Sequence, residues 1–493
     1  MHDAQLLNPL AAPAARSARS RPFLWSALVA VAFVTAQLVL VAPGSGLGWD
    51  ETVYVSQVGG NAPPAFFSAP RARGITYLVA PVAAVTASTT AIRVHLALLS
   101  GGALFGVLWI WRRLLPTPVL ACAGALFCGL WITLYYGPAA MPNLWCAFGA
   151  LAAVGWFLRA VTAARDRVAL AGAGAAVAFV ALMRPSDGLW LALPLAASAL
   201  LVPAWRRPAV AAVITAGLLA GAGPWVYEAY AHYGGLAARL RRADEIQGGL
   251  GWHLAVDDHV RALAGRTLCR PCDVPWKYPV TAVWWFALPA LVIGGIMAAI
   301  RVCRGSVALL ATVTAAFLAG QYLFLIDYAA PRFLLPAYAL LAVPVAECVV
   351  RLFTQVRPAL RPVTVTVLTL ALAGHLAVQY WVLQRVVANN HTMRERYTAI
   401  AAGLHRLGVR PPCLVTGYDA VPIAYYAGCS SRQPSGHDAS ITPDGIVAAV
   451  RRMPVAVLVT ASQAPPGYAR TWRPAALPQV RGYTVYLPPG AGT

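Results

Sequence analysis

Two adjacent carboxylates, Asp50 and Glu51, occur early in a chain in which only 11% of the residues are charged. They lie in "GLGWDETVYVSQV" (46–58), directly after the first long apolar run. Adjacent side chains diverge by about 100° on a helix and point to opposite faces on a strand. One carboxylate can therefore face a cavity while the scaffold holds the other, which suits a reaction with one general base and no general acid. A helix cap at Asp50 beside a solvated neighbour is the alternative.

The composition indicates a membrane protein. Of the 493 residues, 59% are hydrophobic, and the mean hydropathy is +0.64. Apolar runs of about 20 residues, each long enough to cross a hydrocarbon core of about 30 Å, recur along the chain. The net charge of +21 is dispersed between these runs, so we expect membrane lipids and no nucleic acid as partners. The sequence predicts an all-α polytopic membrane protein in the cell membrane.

The charges between the apolar runs predict the orientation. We place the tail 1–22 in the cytoplasm, the loops 44–90 and 232–280 outside, and residues 385–493 outside as a small α/β domain. The transmembrane domain is then 23–384, and the cytoplasmic connections near 112–113, 165–167, 206–207, 301–304 and 351–361 all carry arginines, as the positive-inside rule requires. The eleven predicted spans are about 23–43, 91–111, 116–136, 143–162, 168–183, 188–204, 209–231, 281–300, 306–326, 333–353 and 362–384.

Residues 74–90 are apolar but too short for a twelfth span, and they contain Pro81. If they crossed the membrane, Arg112, Arg113 and the arginines of every later cytoplasmic connection would move outside. We therefore expect a helix that lies on the outer face or dips into it. Asp50 and Glu51 then open an external loop with a membrane-associated helix.

The last hundred residues show a different pattern. Short β-branched runs at 413–417, 455–461 and 483–488 predict strands. Between and before them, helices are predicted near 392–407, 419–427 and 443–452. This alternation predicts a small α/β domain.

The cysteines divide between the apolar runs and the predicted outer face. Cys269 and Cys272 share the loop 232–280, and Cys413 and Cys429 share the C-terminal domain. Even numbers on an oxidising side predict two disulfides. A metal or redox role for "CRPC" is the weaker alternative, because no second Cys/His pair supports it. No cofactor is expected; a divalent metal is possible but not indicated.

Among the arginines outside the cytoplasmic connections, five are predicted at or near the outer mouth of the bundle. Arginine binds phosphate well because its planar guanidinium offers a fork of donors. A reaction at this place could combine a carboxylate base for a hydroxyl with arginines for a leaving phosphate. Transfer of a sugar from a lipid-linked phosphate has these requirements. The five residues are Arg71, Arg73, Arg93, Arg184 and Arg332.

Several short stretches together resemble the GT-C membrane glycosyltransferases. "GWDETVYV" resembles the Asp-Glu motif in their first external loop and is most similar to glycosyltransferase family 39. That family includes protein O-mannosyltransferases and lipid A aminoarabinose transferases. The resemblance covers about 20–384, with the motifs in the right order. The other matching stretches are "RARGITYLVAP" (71–81), "YYGPAAMPN" (135–143), "LMRPSDGLWLALPL" (182–195) and "YAAPRFLLPAY" (328–338).

The resemblance implies a GT-C fold, a polyprenyl-phosphate sugar donor and an inverting displacement on the outer face. It implies that Asp50 is the catalytic aspartate and Glu51 its partner. Arg73 matches a loop arginine near the donor phosphate, with Arg71 as a possible substitute. The remaining candidates for phosphate binding are Arg332, at the Pro-Arg position, Arg184 and Lys277, although Lys277 beside two aromatic residues is also typical of an interfacial anchor.

The C-terminal region differs from the repeat domain of eukaryotic O-mannosyltransferases, so a glycan, a lipid or a protein of the envelope can each be the acceptor. Two other functions compete with transfer. A transporter or flippase of lipid-linked sugars would share the spans, but such proteins usually contain internal repeats with broken helices at mid-membrane, and no half-to-half similarity is evident here. A non-enzymatic envelope protein with a glycan-binding outer domain would leave Asp50 without a role.

Overall fold

The computed structural model describes residues 22–489, apart from 164, 271, 274, 478 and 479. The predicted cytoplasmic tail 1–22 lies outside the described residues except for its last position. The helices are α1 Pro22–Leu40, α2 Trp49–Ser56, α3 Gly74–Ala83, α4 Thr89–Trp111, α5 Thr117–Cys128, α6 Trp131–Tyr136, α7 Pro142–Thr162, α8 Arg167–Met183, α9 Pro185–Leu201, α10 Pro208–His232, α11 Leu236–Ile246, α12 Val256–Ala262, α13 Val283–Ile300, α14 Gly305–Phe324, α15 Leu335–Thr354, α16 Arg361–Arg406, α17 Ala420–Ala427 and α18 Pro443–Ala449.

The chain packs as two compact units. The membrane unit comprises Met1–Leu40, Ala97–Gly137 and Pro142–Val386, and the mixed unit comprises Val41–Leu96, Pro138–Met141 and Val387–Thr493. The first predicted external loop therefore packs in one unit with the C-terminal residues.

Eight helices among the described residues are long and apolar enough to cross a membrane. They are α1, α4, α7, α10, α13, α14, α15 and α16. Three of the shorter apolar helices, α5, α8 and α9, occupy the remaining predicted spans, and the fourth, α3, occupies the segment predicted to lie at the membrane surface. The prediction of a polytopic helical membrane protein is confirmed.

Two predicted elements have different bounds in the structure. The span 116–136 is not continuous, because α5 ends at Cys128 and α6 begins at Trp131. The backbone N–H of Trp131 donates to the side-chain oxygen of Gln379 at 2.9 Å, so the buried break keeps a hydrogen-bond partner. The span 362–384 and the helix 392–407 are one helix, α16, because neither proline nor glycine occurs between Gly374 and Gly403.

Small residues allow close contacts between helices in the membrane unit. A Cβ atom at Gly217 would lie 2.3 Å from the carbonyl oxygen of Gly174, and one at Gly221 would lie 2.1 Å from that of Ala178. Helices α8 and α10 therefore pack backbone to backbone. Such close approach is the usual source of helix association in a bilayer, where apolar contacts alone give little driving force.

The mixed unit contains a five-stranded sheet in the order β2-β1-β3-β5-β4. Strand β1 is parallel to β2 and β3, whereas β3 with β5 and β5 with β4 are antiparallel. The three strands predicted from the sequence are β1, β3 and β5. The other two escape prediction because β2 has two residues and β4 contains Pro474, which is typical of an edge strand. The bounds are β1 Leu414–Gly417, β2 Ser430–Ser431, β3 Val455–Thr460, β4 Arg473–Ala476 and β5 Tyr483–Leu487.

The sheet has a buried core on each face. On one face, α17 and the end of α16 cover the sheet, with Ile400, Leu404 and Ile423 all 0% exposed. On the other face, Ile446 of α18 and Trp472 pack against the sheet. This core keeps the last turns of α16 and the adjacent α17 in place, and both contribute residues to the candidate site.

Both cysteine pairs form disulfides. Cys413 joins Cys429 beside β1 and β2, and Cys269 joins Cys272 in the loop before α13. The other five cysteines are free thiols.

Candidate functional site

The loop 46–48 that leads into α2 is held by the mixed unit's own helices. The N–H of Gly46 donates to Asn390 of α16 at 2.8 Å, and the N–H of Leu47 donates to the hydroxyl of Tyr426 of α17 at 2.9 Å. A Cβ atom at Gly46 would lie 2.6 Å from the Cβ atom of Arg394, so this close approach requires glycine. The position of the carboxylates on α2 therefore depends on the C-terminal helices.

Glu51 is buried and fully engaged by the scaffold. Its carboxylate forms an ion pair with Arg93 of α4, with one contact at 2.8 Å, and accepts the N–H of Gly48 at 3.0 Å and that of Ala140 at 2.8 Å. Arg93 also donates to the carbonyl oxygen of Pro138 at 2.9 Å. Glu51 thus stabilises the start of α2, where a negative charge is favourable, and joins three segments of the chain.

Asp50 has a different environment. Its side chain is 34% exposed, against 8% for Glu51. One oxygen contacts the guanidinium of Arg71 at 2.9 Å. Gly48 occupies the cap position of α2 and Glu51 makes the capping contact, so the alternative that Asp50 is the helix cap is wrong. The two carboxylates therefore have separate environments, one accessible and one structural.

Arg71 is held firmly beside Asp50. Its Nε donates to the hydroxyl of Ser68 at 2.9 Å, and its guanidinium carbon lies 5.5 Å from the ring centroid of Tyr54. Burial alone would lower the pKa of Arg71, but the carboxylate of Asp50, with Tyr54 and Asp438, raises it above its ordinary value. Arg71 therefore stays positively charged at the site.

A third carboxylate, Asp438, belongs to the segment between β2 and α18. Its Oδ2 accepts the indole N–H of Trp49 at 2.9 Å. The side chain is 8% exposed, and Arg71 and Asp50 both act on its charge. Sequence reasoning missed this residue because 388 positions separate it from Asp50 and the stretch "SGHDAS" matches no motif.

The two loop arginines have different surroundings. Arg73 donates to the amide oxygen of Gln57 at 3.3 Å, and its guanidinium carbon lies 4.5 Å from the ring centroid of Phe67. Arg71, which the resemblance gives only as a possible substitute for Arg73, is the one that forms an ion pair with Asp50. Of the two loop arginines, Arg71 is therefore the one in contact with the accessible carboxylate.

Arg184 and Arg332 lie near the same aromatic ring in the membrane unit. Their guanidinium carbons lie 5.0 Å and 5.3 Å from the ring centroid of Phe333. Arg184 also lies 3.8 Å from Asp187, and Arg332 donates to the carbonyl oxygen of Thr267 at 2.7 Å. Two guanidiniums thus lie near one aromatic ring, and guanidinium groups are well suited to binding an anionic group.

Lys277 is part of a second cationic group in the membrane unit. Its ammonium nitrogen lies 5.5 Å from the ring centroid of Tyr278, and the guanidinium carbon of Arg385 lies 4.6 Å from the same centroid. Arg385, together with Lys277, lowers the pKa of Tyr278. Arg385 was not predicted, although its spacing of four residues from Trp381 on α16 puts both on one helix face.

No cluster of three or more His, Cys, Asp or Glu side chains suited to a metal ion is present in the part of the chain that the structure describes.

The fold is similar to two groups of solved structures. ArnT from Cupriavidus metallidurans, bound to undecaprenyl phosphate, has a TM-score of 0.67 at 12% identity, and the match covers 97% of this chain and 100% of ArnT. The Archaeoglobus fulgidus oligosaccharyltransferase, tethered to an acceptor peptide, has a TM-score of 0.57 at 14% identity, with 90% of this chain and 69% of that protein covered. Its complex with an inhibitory peptide and a dolichol-phosphate has a TM-score of 0.54 at 14% identity, with 85% and 65% covered. No family profile matches the sequence, and no curated protein matches it.

These neighbours are membrane proteins of the GT-C fold. At identities of 12% and 14% the likeness defines the fold. The chain is a multi-pass membrane protein of the GT-C fold, as the sequence predicted.

Proposed function

We propose that the protein is a membrane glycosyltransferase that moves a sugar from a polyprenyl-phosphate donor to an acceptor hydroxyl on the outer face of the membrane. The observation that carries the proposal is the asymmetry of the two carboxylates on α2. Glu51 is buried and paired with Arg93, whereas Asp50 is one-third exposed beside Arg71. A fold shared with ArnT, which was solved with bound undecaprenyl phosphate, and with an archaeal oligosaccharyltransferase supports the same conclusion.

Asp50 acts as the general base in this proposal. The acceptor oxygen forms a bond to the anomeric carbon while its proton passes to the Asp50 carboxylate, and the bond from that carbon to the phosphate oxygen breaks. A single displacement of this kind inverts the configuration at the anomeric carbon. A positioned base contributes about 10²- to 10⁴-fold to such a step.

The leaving phosphate departs as an anion, so it needs positive charge more than a proton. Arg184 and Arg332, which share the Phe333 ring, are the proposed phosphate-binding pair. Lys277 and Arg73 are further candidates for donor binding. The bound undecaprenyl phosphate of one neighbour and dolichol-phosphate of another support a lipid phosphate as the donor group.

The decisive experiment replaces Asp50 with Asn in the full-length protein. Transfer should fall by about 10²- to 10⁴-fold, with the protein folded and present in membranes at the normal level. Asp444→Asn, at an exposed position at the start of α18, is the matched control and should keep full activity. Normal transfer by Asp50→Asn would refute the proposed base.

The same variant separates the competing functions. A flippase of lipid-linked sugars or a glycan-binding envelope protein does not need a base at position 50. Each would keep its activity when Asp50 becomes Asn. Loss of a glycan in the Asp50→Asn strain, with flipping of the lipid intact, would favour transfer over both.

A further inference from the structure

Asp438 is a buried carboxylate that the proposed reaction does not yet use. Its Oδ2 is occupied by the indole N–H of Trp49, the residue directly before Asp50. Its Oδ1 is buried and has no hydrogen-bond partner. One carboxylate oxygen of Asp438 therefore accepts a hydrogen bond and the other accepts none. The donor of that bond, Trp49, directly precedes the accessible Asp50.

The arrangement of Asp438 does not stabilise the folded state. Burial raises the pKa of Asp438 above its ordinary value, which Arg71 and the Trp49 N–H only partly oppose. A buried carboxylate with an unpaired oxygen destabilises a protein. Residues of this kind are commonly retained because a function requires them.

Arg71 interacts electrostatically with both carboxylates. Its terminal nitrogen contacts Asp50 at 2.9 Å, its Nε donates to Ser68, and its guanidinium carbon lies 5.5 Å from the ring centroid of Tyr54. The anchored Nε leaves only the end of the guanidinium to change partner. Asp438 is close enough to raise the pKa of Arg71 together with Asp50.

An arginine bonded to a carboxylate stabilises its charged form and makes it a weaker base. Asp50 thus has to lose some of its contact with Arg71 before it can accept a proton. We propose that Asp438 is a positioning residue that holds Trp49 with one oxygen and offers the other to Arg71, so that Arg71 can leave Asp50 during transfer. This inference rests on the proposed function, because it assigns Asp438 a role in the same step.

Groups from three segments act on the charge of Asp438. They are Arg71 from the loop before α3, Trp49 and Asp50 from α2, and His437 from its own segment. Glu51 is engaged by Arg93.

Two variants separate the charge from the hydrogen bond. Asp438→Asn keeps an oxygen for the Trp49 N–H and removes the charge, whereas Trp49→Phe removes the N–H and keeps the charge. We expect Asp438→Asn to lower kcat by about tenfold or more, a part of the 10²- to 10⁴-fold effect of a base, with the KM for the donor unchanged. Trp49→Phe should cost less activity.

The pH dependence of the transfer activity gives a second measurement, which would not differ between the wild type and Asp438→Asn if Asp438 had only a structural role. Below the raised pKa of Asp438 the wild-type carboxyl is neutral, so its activity should approach that of Asp438→Asn, and the ratio of the two should grow as pH rises. The folded state favours the protonated carboxyl, so its stabilising contribution is lost as pH rises through the folded pKa. Asp438→Asn should therefore melt at or above the wild-type temperature at neutral pH, although it is less active.

Wild-type kcat and pH dependence in Asp438→Asn, with Asp50→Asn inactive, would overturn this inference and leave the proposed function intact. An equal loss of melting temperature and activity in Asp438→Asn and Trp49→Phe at all pH values would also overturn it, since that result indicates a structural contact. Activity in Asp50→Asn would instead refute the proposed function itself.

Discussion

Replacing Glu51 with Gln should destabilise the protein far more than replacing Asp50 with Asn, although the residues are neighbours and each change removes one charge. Glu51 Oε1 accepts from Arg93 and the N–H of Ala140, and Oε2 accepts from Arg93 and the N–H of Gly48. A glutamine has one oxygen and one amide nitrogen. Whichever way the amide is placed, two donors then face an NH₂ group, and buried Arg93 loses its counter-ion.

The magnitude follows from this arrangement. Breaking a buried ion pair by removing one partner costs about 3–5 kcal/mol. In the pair of Asp50 with Arg71 the side chains are 34% and 12% exposed, so this pair is closer to the solvent-exposed pairs, which are worth about 0–1 kcal/mol. The two variants should therefore differ by several kcal/mol in the free energy of unfolding.

Thermal unfolding of the full-length protein in detergent or nanodiscs, with the two variants side by side, measures this difference. Glu51→Gln should melt well below the wild type and Asp50→Asn close to it. Adding Arg93→Gln to Glu51→Gln should recover part of the loss, because no buried charge is then left unpaired. A wild-type melting temperature for Glu51→Gln, or an equal drop for Asp50→Asn, would refute the assignment of Glu51 to the scaffold.

Three further outcomes are expected. Per folded molecule, Asp50→Asn should lose far more transfer activity than Glu51→Gln; equal losses in single-turnover assays would favour a metal bridged by both, which a chelator would test. Arg332→Ala should raise the KM for the donor more than it lowers stability, and Arg73→Ala should do the same to a smaller degree; unchanged donor dependence in both would move the phosphate role to Arg71 or Arg184. Replacing both cysteines of the 413–429 disulfide with serine should cost about 3 kcal/mol of stability, as a loop of this length predicts, and a thermal melt equal to the wild type would contradict it.

Much of the membrane fold was predictable from hydropathy, because the hydropathy of a segment depends only on its own residues. Each predicted span overlaps an apolar helix, although 116–136 is divided between α5 and α6, and α3 occupies the short apolar segment that was predicted not to span. The break after Cys128 could not be read locally, because the donor at Trp131 is satisfied by Gln379, 248 residues away. Strand β4 likewise depends on its pairing with β5 more than on its own sequence.

The sequence named the carboxylates and arginines of the candidate site but not the contacts that hold them. The rule that adjacent side chains diverge indicated that Asp50 and Glu51 have separate environments, but not which one is accessible. That choice depends on Arg93, 42 residues from Glu51, and on Ala140. Asp438 and Trp49 are separated by 389 residues, and only the folded mixed unit joins them.

The most direct test of the central claim is mass spectrometry of lipid-linked sugars and envelope glycans in cells that lack the gene and carry either the wild-type chain or Asp50→Asn. With equal amounts of both proteins in the membrane, the account predicts that the wild type restores a missing glycan. Cells with Asp50→Asn should still lack that glycan and accumulate the polyprenyl-phosphate sugar. Restoration of the glycan by Asp50→Asn would contradict the account.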